Sequence, residues 1–460
     1  MKKLIYSLCL VGMMLALCTA CSKDEVYTGE TNDCYISAVQ LGYMKRAIHT
    51  TTKEGKDSTY YITFNGMYYP FTIDQRENLI YNEDSLPKGT RVSAVLATIT
   101  SQGYVLYRTA GRTDEDWWAY SSSDSIDFSQ PLELAVYSTD RSAIRTYTMK
   151  VNVHQQEPTD FEWKKMTTTD VFQGMEQMKA VVNQGDLYVF GLVNGMMKVA
   201  KKSSGDGKNW ILTETTGSED AVPITVQIMG GVFYMSTLQG TLLTSNDGQT
   251  WTVLDGDPVS QLVAAGGRFL YALNSEGKIC RSEDGVVWIE ELLDDQAAYL
   301  SSQHISSAYY IQDNGNERIM LVGSRNSLEY AQDTACVVWS KSWIGYQNEN
   351  SDWMYYNVSP DNKFLCPQLE RLTVVRYHQW LVALGGPSLN GKLSSLGTCY
   401  VSADNGITWR ADYGMSIPKE LQGMEEPFAV AVDDEHFMWI VCGQQVWRGR
   451  LNELGFENKN

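Results

Sequence analysis

The chain has 460 residues, of which 43% are hydrophobic and 11% aromatic. This composition supports folded cores and excludes a disordered chain, and the length allows two domains or one large repeat array. Acidic residues outnumber basic ones by 55 to 37, which gives a formal net charge of −18. An acidic chain repels phosphate backbones, so nucleic acid is not an expected partner.

Residues 1–20 have the pattern of a secretion signal. Two lysines precede an apolar run over residues 4–17, which is too short for a comfortable transmembrane helix. The Cys-Thr-Ala-Cys sequence at 18–21 resembles a bacterial lipobox. The leucine that a lipobox usually has three places before its cysteine is displaced here to Leu17, and Cys18 occupies that position. The resemblance implies cleavage before Cys21 and lipidation of Cys21, with ordinary cleavage at small residues as the alternative.

Residues 21–32 are predicted to be the tether after the lipidated cysteine. The Ser-Lys-Asp-Glu sequence at 22–25 resembles the export tag of Bacteroidota lipoproteins that are sent to the outer leaflet. The resemblance implies a protein anchored in outer-membrane lipid through Cys21 and facing the cell exterior. A plain hydrophilic tether, which any lipoprotein needs, is the alternative.

Residues 33–156 contain about seven short segments of β-forming residues and no helical period. The segment from Arg145 to Val151 alternates residue by residue, as a half-buried antiparallel strand does. This pattern predicts an immunoglobulin-like β-sandwich, and the region resembles the N-terminal sandwich of Bacteroidota surface lipoproteins. Residues 157–160 are polar and contain Pro158, so we interpret them as a linker.

A short motif of Ser, Asp, Gly and Trp recurs four times in residues 161–456. Ser and Asp side chains can accept hydrogen bonds from nearby backbone amides, Gly provides the positive φ of a tight turn, and Trp opens the next strand. The motif resembles the Asp-box (BNR) repeat of sialidases and sortilins, which lies between the third and fourth strands of a propeller blade and is structural. Its predicted positions are Ser204, Asp206, Gly207, Trp210; Ser245, Asp247, Gly248, Trp251; Ser282, Asp284, Gly285, Trp288; and Ser402, Asp404, Gly406, Trp409.

The number of fourth strands predicts the number of blades. Residues 161–166 read like a strand that follows a box, yet no box precedes them, whereas the chain ends in three strands without a fourth. We therefore expect residues 161–166 to pair with the last strands and close the ring, which removes an exposed sheet edge. The expected fourth strands are centred on Trp163, Trp210, Trp251, Trp288, Trp353 and Trp409. They predict six blades, with seven as the alternative.

No catalytic motif emerges from the sequence. A classical sialidase carries a Phe/Tyr-Arg-Ile-Pro motif, which is absent here, so that activity is not expected. A glycosidase needs only two suitably placed carboxylates, and 55 acidic residues leave such a pair open. The catalytic residues, if the chain has any, are unknown from the sequence.

Cofactors and metals are not predicted. The five histidines show no metal-ligand spacing, and no Cys-x-x-Cys occurs among the six cysteines after Cys21. Five of these cysteines fall in the repeat region, an odd number for disulfide pairing, so we expect buried free thiols.

One surface feature suggests ligand contact. Trp117 and Trp118 follow a run of acids, and adjacent residues of a strand point to opposite faces. One indole could therefore pack in the core while the other stacks on a sugar. Packing of both indoles against neighbouring loops is the alternative.

Together these patterns predict an all-β lipoprotein with an N-terminal sandwich and a C-terminal propeller. We expect non-catalytic binding of a glycan or protein through the propeller. The first alternative is a glycoside hydrolase or lyase with an unrecognised carboxylate site, and the second is a structural component of an outer-membrane complex.

Overall fold

The computed structural model describes residues 30–51, 56–114, 116–166, 168–202, 209–344, 349–356, 361–412 and 414–455. The predicted signal peptide, Cys21 and the first part of the tether lie outside these ranges. The chain divides into two compact units, residues 1–157 and 158–460. The described residues form strands and short 3₁₀ helices, which confirms the all-β prediction. Within them, no helix has the length and apolar character needed to cross a membrane.

The described part of the first unit contains eleven strands and one 3₁₀ helix at Gly66–Tyr68. The strands are β1 Tyr35–Leu41, β2 Tyr43–Thr51, β3 Asp57–Asn65, β4 Phe71–Asp74, β5 Leu79–Asn82, β6 Val95–Gln102, β7 Tyr104–Thr109, β8 Trp118–Ala119, β9 Ser125–Ile126, β10 Leu132–Tyr137 and β11 Ile144–Lys150.

These strands form three sheets, with orders β4-β5-β11-β10-β7-β8, β1-β6-β9 and β2-β3. Alternate residues of β6 and β11 are buried, so each presents an apolar face to one shared core. Tyr147 of β11 is fully buried in that core. Its hydroxyl accepts a hydrogen bond from Ile36 N of β1 at 3.3 Å and donates one to Gln75 Oε1 at 2.7 Å. This phenol therefore joins two of the sheets.

The described part of the second unit contains twenty-five strands and four 3₁₀ helices, at Asp170–Phe172, Pro223–Thr225, Ala297–Tyr299 and Asn452–Gly455. The strands are β12 Phe161–Lys165; β13 Glu176–Asn183, β14 Asp186–Val193, β15 Met196–Lys202, β16 Ile211–Glu214; β17 Gln227–Met229, β18 Val232–Ser236, β19 Leu242–Ser245, β20 Thr252–Leu254; β21 Gln261–Ala265, β22 Leu270–Leu273, β23 Ile279–Ser282, β24 Ile289–Glu290; β25 Gln303–Ile311, β26 Glu317–Ser324, β27 Val337–Ile344, β28 Glu349–Asn350, β29 Met354–Tyr355; β30 Thr373–Tyr377, β31 Trp380–Leu384, β32 Cys399–Ser402, β33 Arg410–Asp412; β34 Phe428–Val432, β35 Met438–Cys442 and β36 Gln445–Leu451.

Consecutive strands of this unit form six antiparallel sheets in the described ranges. One sheet has the order β12-β36-β35-β34 and so combines both ends of the unit. Phe161 lies opposite Leu451, and Lys165 lies opposite Trp447. This pairing of the segment at 161–166 with the last strands agrees with the sequence prediction.

The first strands of the six sheets contact one another in a closed cycle: β13, β17, β21, β25, β30 and β34, which returns to β13. The strands β25 and β30 run in the same direction, because residues near the starts of both strands are hydrogen-bonded to each other. Val374 N donates to Ser306 Oγ at 2.8 Å, and Arg371 N donates to His304 Nδ1 at 3.2 Å.

This geometry gives the unit two different ends. The connectors between sheets and the turns between second and third strands lie where the first strands begin, and we call this the connector end. The turns between third and fourth strands lie at the opposite end, which we call the box end. Apolar side chains fill the space between neighbouring sheets, as in the cluster that combines Val189 and Ala200 with Ala429 and Trp439.

Candidate functional site

The box end is built from repeated turns, and the turn after β19 shows their geometry. Ser245 Oγ donates to Asp247 Oδ1 at 3.0 Å and accepts from Gly248 N at 2.9 Å. The same carboxylate oxygen accepts from the backbone N–H groups of Gln249 and Thr250, both at 2.8 Å. The motif residues thus satisfy one another within a single turn.

The tryptophan that follows this turn anchors it to the core. Trp251 is 4% exposed and donates from its indole nitrogen to Gly248 O at 3.2 Å. Its ring packs edge-to-face on Phe190 at 6.0 Å. Gly248 has φ 75°, and a Cβ there would lie 3.1 Å from the Phe190 ring, so only glycine fits without a shift.

Two further turns, after β23 and after β32, repeat this arrangement. Asp284 accepts from Ser282 Oγ and from Val286 N and Val287 N at 2.8–3.1 Å, and Gly285 N donates to Ser282 Oγ at 2.8 Å. In this copy the Trp288 indole nitrogen is buried without a hydrogen-bond partner.

In the longer motif after β32, a side-chain hydroxyl replaces one of the two backbone donors to the aspartate. Asp404 accepts from Ser402 Oγ at 2.8 Å, from Thr408 N at 2.9 Å and from Thr408 Oγ1 at 2.6 Å. Gly406 N donates to Ser402 Oγ at 2.8 Å, and the buried Trp409 donates to Gly406 O at 3.0 Å.

The most upstream motif copy is only partly described. Ser204, Asp206 and Gly207 lie outside the described residues. Trp210 immediately precedes β16 and packs edge-to-face on Phe172 with ring centroids 4.9 Å apart. Its indole nitrogen is buried and has no hydrogen-bond partner.

The three described box carboxylates are held in their ionised form. Burial raises the pKa of Asp247, but hydrogen bonds from Thr250, Gln249 and Ser245 outweigh this effect and lower it. The pKa of Asp404 is lowered in the same way, by Thr408 and Ser402 against burial. Backbone hydrogen bonds from Val286 and Val287 lower the pKa of Asp284. Carboxylates fixed by donors in this way serve as turn ties and are poorly suited to proton transfer.

A buried ionic cluster lies between two neighbouring sheets. The Glu291 carboxylate pairs with Arg281 at 2.6 Å and with the buried Lys341 ammonium, which also donates to Ser351 O at 2.6 Å. Burial lowers the pKa of Lys341, against the opposing effect of Glu291. The adjacent cavity, lined in part by Lys341 and Arg268, has a volume of about 10 Å³, which is room for one water molecule. This cluster has no space for a ligand.

The connector end contains a much larger cleft, which we call the Met196 cleft. Its volume is about 490 Å³, and it is formed by the end of one four-stranded sheet, the connector that follows it and a turn of the next sheet. The lining residues are Leu192, Gly195, Met196, Met197, Glu214, Thr215, Ser218, Glu219, Asp220, Ala221 and Leu238.

Exposed apolar groups and acids share the Met196 cleft. Met196 is 58% exposed and Leu238 is 73% exposed, although both are apolar side chains. Glu214 pairs with Lys198 at 3.2 Å, and that carboxylate remains largely exposed. Glu219 and Asp220 are also exposed, so the cleft combines apolar surface with net negative charge.

Hydrogen bonds fix the walls of the Met196 cleft. Thr215 Oγ1 donates to Met197 O at 2.9 Å and lies 2.5 Å from Ser218 Oγ. Leu238 N donates to Asp220 O at 2.8 Å. The cleft is therefore built into the backbone path of the connector.

A second cleft at the connector end, which we call the Lys392 cleft, is smaller and more polar. Its volume is about 200 Å³. It is lined by Leu369, Gly385, Gly386, Lys392, Leu393, Ser394, Gly397, Thr398, Tyr400 and Gln422. A Cβ at Gly385 would lie 2.6 Å from Leu369 Cβ, so glycine allows the chain to pass closely beneath the cleft.

The structure places the two predicted stacking tryptophans in different environments. The Arg108 guanidinium lies 4.5 Å from the ring centre of Trp117, which is half-buried. Trp118 lies in β8 opposite Tyr107 and is 64% exposed. Only Trp118 therefore offers an open indole surface.

Sequence reasoning did not find either cleft. Their residues come from separate segments of the sequence and belong to no recurring motif. Within the described ranges, no group of three His, Cys, Asp or Glu side chains could hold a metal ion.

Comparison with known proteins identifies the family. The model of the DUF6242 beta propeller domain matches residues 157–459, and that of the DUF6242 N-terminal domain matches residues 39–151. No curated protein matches the sequence.

Several solved structures match the chain with low sequence identity and low TM-scores. YCF48 from Cyanidioschyzon merolae is 15% identical with a TM-score of 0.32, covering 63% of this chain and 98% of that one. YCF48 bound to D1 peptide is 14% identical with a TM-score of 0.37, covering 65% and 96%. The Penicillium chrysogenum alpha-L-arabinanase complexed with arabinobiose is 12% identical with a TM-score of 0.40, covering 63% and 99%. The family match confirms the predicted propeller, and the chain belongs to the DUF6242 family with a β-propeller C-terminal domain.

Proposed function

We propose that this protein is a lipid-anchored surface protein of the outer membrane whose propeller binds a ligand without catalysing a reaction. The leading ligand is a protein segment that carries basic and apolar side chains. The observation that carries this proposal is the Met196 cleft, with its apolar surface and acidic residues at the connector end.

The proposed architecture is an immunoglobulin-like sandwich followed by a six-bladed Asp-box propeller. The closed cycle of first strands β13, β17, β21, β25, β30 and β34 supports six blades. The hydrogen-bonded turns around Asp247, Asp284 and Asp404 lie between third and fourth strands, which supports the likeness to Asp boxes. The three sheets around the Tyr147 core support the sandwich.

The chemistry of the Met196 cleft favours a peptide ligand. A volume of about 490 Å³ lies within the range of clefts that bury small ligands or a few side chains. Methionine adapts its shape to different apolar partners, and Met196 and Leu238 both face solvent. Glu214, Glu219 and Asp220 would attract lysine or arginine and repel acidic sequences.

A glycan is the second candidate, on the evidence of the Lys392 cleft. Ser394, Thr398 and Tyr400 provide hydroxyl groups, and Gln422 provides a side-chain amide. These groups match the donor and acceptor pattern of sugar hydroxyls. Trp118, with its exposed indole, is a further stacking candidate in the first unit.

The binding proposal is tested with the chain from residue 22 onward on a peptide array of basic and apolar sequences and on a glycan array. We expect peptide hits, and Glu219→Lys should weaken their affinity by about tenfold through charge reversal. Glu435→Lys makes the same charge change at an exposed site of the box end and should leave the affinity unchanged.

The other array outcomes distinguish the alternatives. Glycan hits that are lost in Gln422→Ala would move the site to the Lys392 cleft. Chemical turnover of any hit would contradict the non-catalytic proposal and favour the glycoside hydrolase or lyase alternative. Silence on both arrays would favour a structural role in an outer-membrane complex.

The anchor is tested separately. We propose that Cys21 carries the lipid and that residues 1–20 are removed. Metabolic labelling with a fatty-acid analogue should mark the wild-type protein and not Cys21→Ala. Protease treatment of intact cells should digest a protein that faces the exterior, and protection of the labelled protein would overturn the surface assignment.

A further inference from the structure

Two cysteines of the propeller lie next to each other on adjacent segments. Cys336 immediately precedes β27, and Cys366 lies in the connector that leads from this sheet to β30. Ala335 and Pro367 form an antiparallel bridge, and Cys336 N donates to Cys366 O at 2.9 Å. The two cysteines are therefore directly opposite each other on antiparallel segments.

Opposite residues of an antiparallel pair point their side chains to the same face. Cα atoms of directly opposed residues on antiparallel segments are about 4.5–5.5 Å apart, and these separations lie within the range that a disulfide spans. Both sulfur atoms approach one oxygen, since Pro367 O lies 3.2 Å from Cys336 Sγ and 3.8 Å from Cys366 Sγ. A hydrogen bond with the Cys336 thiol, together with burial, raises the pKa of Cys366 well above its usual value.

The other propeller thiols have different neighbours. Cys442 Sγ lies 4.0 Å from Met424 Sδ and 3.8 Å from Glu426 O, and Cys280 Sγ lies 3.9 Å from Lys278 O. Cys399 packs in a separate apolar cluster that also contains Cys442. The sulfur contacts of Cys442 are the two given above. The juxtaposition of Cys336 and Cys366 is thus specific to this connector.

We propose that Cys336 and Cys366 form a disulfide when the chain folds in an oxidising compartment. In this step an S–S bond forms between the two sulfurs by exchange with a small-molecule or protein disulfide. The two cysteines are oxidised by two electrons, and the oxidant is reduced to two thiols that receive the two protons. The raised pKa of Cys366 in the folded dithiol slows thiolate attack, so the exchange takes place while the chain folds, before both sulfurs are buried.

The position of this bond gives it a structural purpose. The sheet from β25 to β29 has no clear Ser-Asp-Gly turn between its third and later strands. A bond from Cys336 to Cys366 would tie the start of β27 to the connector. It would also close a chain loop that includes the rest of this sheet, and such closure restricts the unfolded chain.

Mass spectrometry tests the proposal on the unmodified sequence. The chain from residue 22 onward is produced in one host with an oxidising cytoplasm and in another with a reducing cytoplasm. Free thiols are alkylated in denaturant, and the protein is digested with trypsin without reduction. We expect peptides 326–341 and 364–371, which contain one cysteine each, to be linked in the oxidised preparation and alkylated separately in the reduced one.

Thermal unfolding gives an independent readout. The oxidised wild type should melt about 5 °C above the reduced wild type, because the closed loop constrains the unfolded state. Cys336→Ser should lose this difference, whereas Cys280→Ser, a buried thiol of another sheet, should keep it. Alkylation of both peptides in the oxidised preparation, or linkage of either to another cysteine, would overturn the proposal. These readouts require no ligand, so they are independent of the binding assay.

Discussion

The two ends of the propeller are built for different purposes. At the box end, short turns satisfy their own polar groups and the adjacent cavity holds about 10 Å³. At the connector end, clefts of about 490 Å³ and 200 Å³ open between connectors and turns. The box end thus stabilises each sheet locally, whereas the connector end leaves apolar and charged side chains exposed around its clefts.

The difference follows from how each end is encoded. A box turn uses residues within a span such as 245–251, so one motif determines its hydrogen bonds and its buried tryptophan. The Met196 cleft needs residues from 192–197, 214–221 and 238, which only the fold brings together. Repetition therefore stabilises the fold, and variation between connectors would give the proposed binding site its specificity.

The largest effect should come from removing a box tryptophan. Trp251→Ala leaves a cavity beside Phe190 and Phe233 and removes the bond to Gly248 O. We expect a loss of about 3–5 kcal/mol in the free energy of unfolding, measured by urea denaturation. Trp118→Ala removes a mostly exposed indole and should change stability by less than about 0.5 kcal/mol. Equal losses in the two variants would contradict the anchoring role of Trp251.

Two glycines with similar backbone angles compare the ends directly. Gly248 in a box turn has φ 75° and Gly195 at the connector end has φ 77°. Alanine at either position meets left-handed strain of about 1–2 kcal/mol. At Gly248 the added Cβ would also lie 3.1 Å from the Phe190 ring, whereas a Cβ added at Gly195 would meet no neighbouring atom within 4 Å. Gly248→Ala should therefore lose about 1 kcal/mol more than Gly195→Ala in the same denaturation assay, and a reversed order would count against the tight box end.

The box carboxylates should make stability depend on pH. Because hydrogen bonding lowers the pKa of Asp404 in the folded state, its contribution is present above the unfolded pKa of about 3.9. It is lost as the pH falls through the lowered folded value. We expect Asp404→Asn to cost about 1–2 kcal/mol at pH 7, and this cost should shrink below pH 4.

The control for the pH experiment is an exposed aspartate outside the box turns. Asp257 is exposed in a connector, and Asp257→Asn should change stability by less than about 0.5 kcal/mol at every pH tested. A cost for Asp404→Asn that stays constant down to pH 3 would show that the ionised form is not the stabilising one.

The sequence predicts those parts of the molecule whose residues are close together in the chain. The box turns and the pairing of residues 161–166 with the last strands follow from local patterns. Strand β2 at 43–51 was not predicted, because it pairs with β3 without a regular apolar alternation. The predicted core-and-surface split of Trp117 and Trp118 rested on a common strand, but β8 begins only at Trp118, and Arg108 rather than a core covers Trp117.

The candidate binding site was beyond local patterns for the same reason. Glu214, Asp220 and Leu238 carry no motif, and their proximity depends on where the connector after β16 passes over the next sheet. The acidic excess of the chain indicated only that nucleic acid is an unsuitable partner. The cleft with its exposed Met196 and Leu238 could be recognised only after the sheets were in place.

The smallest effect on stability should come from an exposed residue of the proposed binding site. Leu238 is 73% exposed at the Met196 cleft, so Leu238→Ser removes little buried surface and should change the free energy of unfolding by less than about 0.5 kcal/mol. The same variant should weaken a peptide ligand by about tenfold, since its apolar contact in the cleft is lost. Isothermal titration of the best array hit measures this effect. Ile211→Ser is the control, since Ile211 is an exposed apolar residue outside the cleft lining. If Leu238→Ser binds the peptide like the wild type, the two ends do not differ in function in the way proposed. The ligand site then lies elsewhere on the propeller.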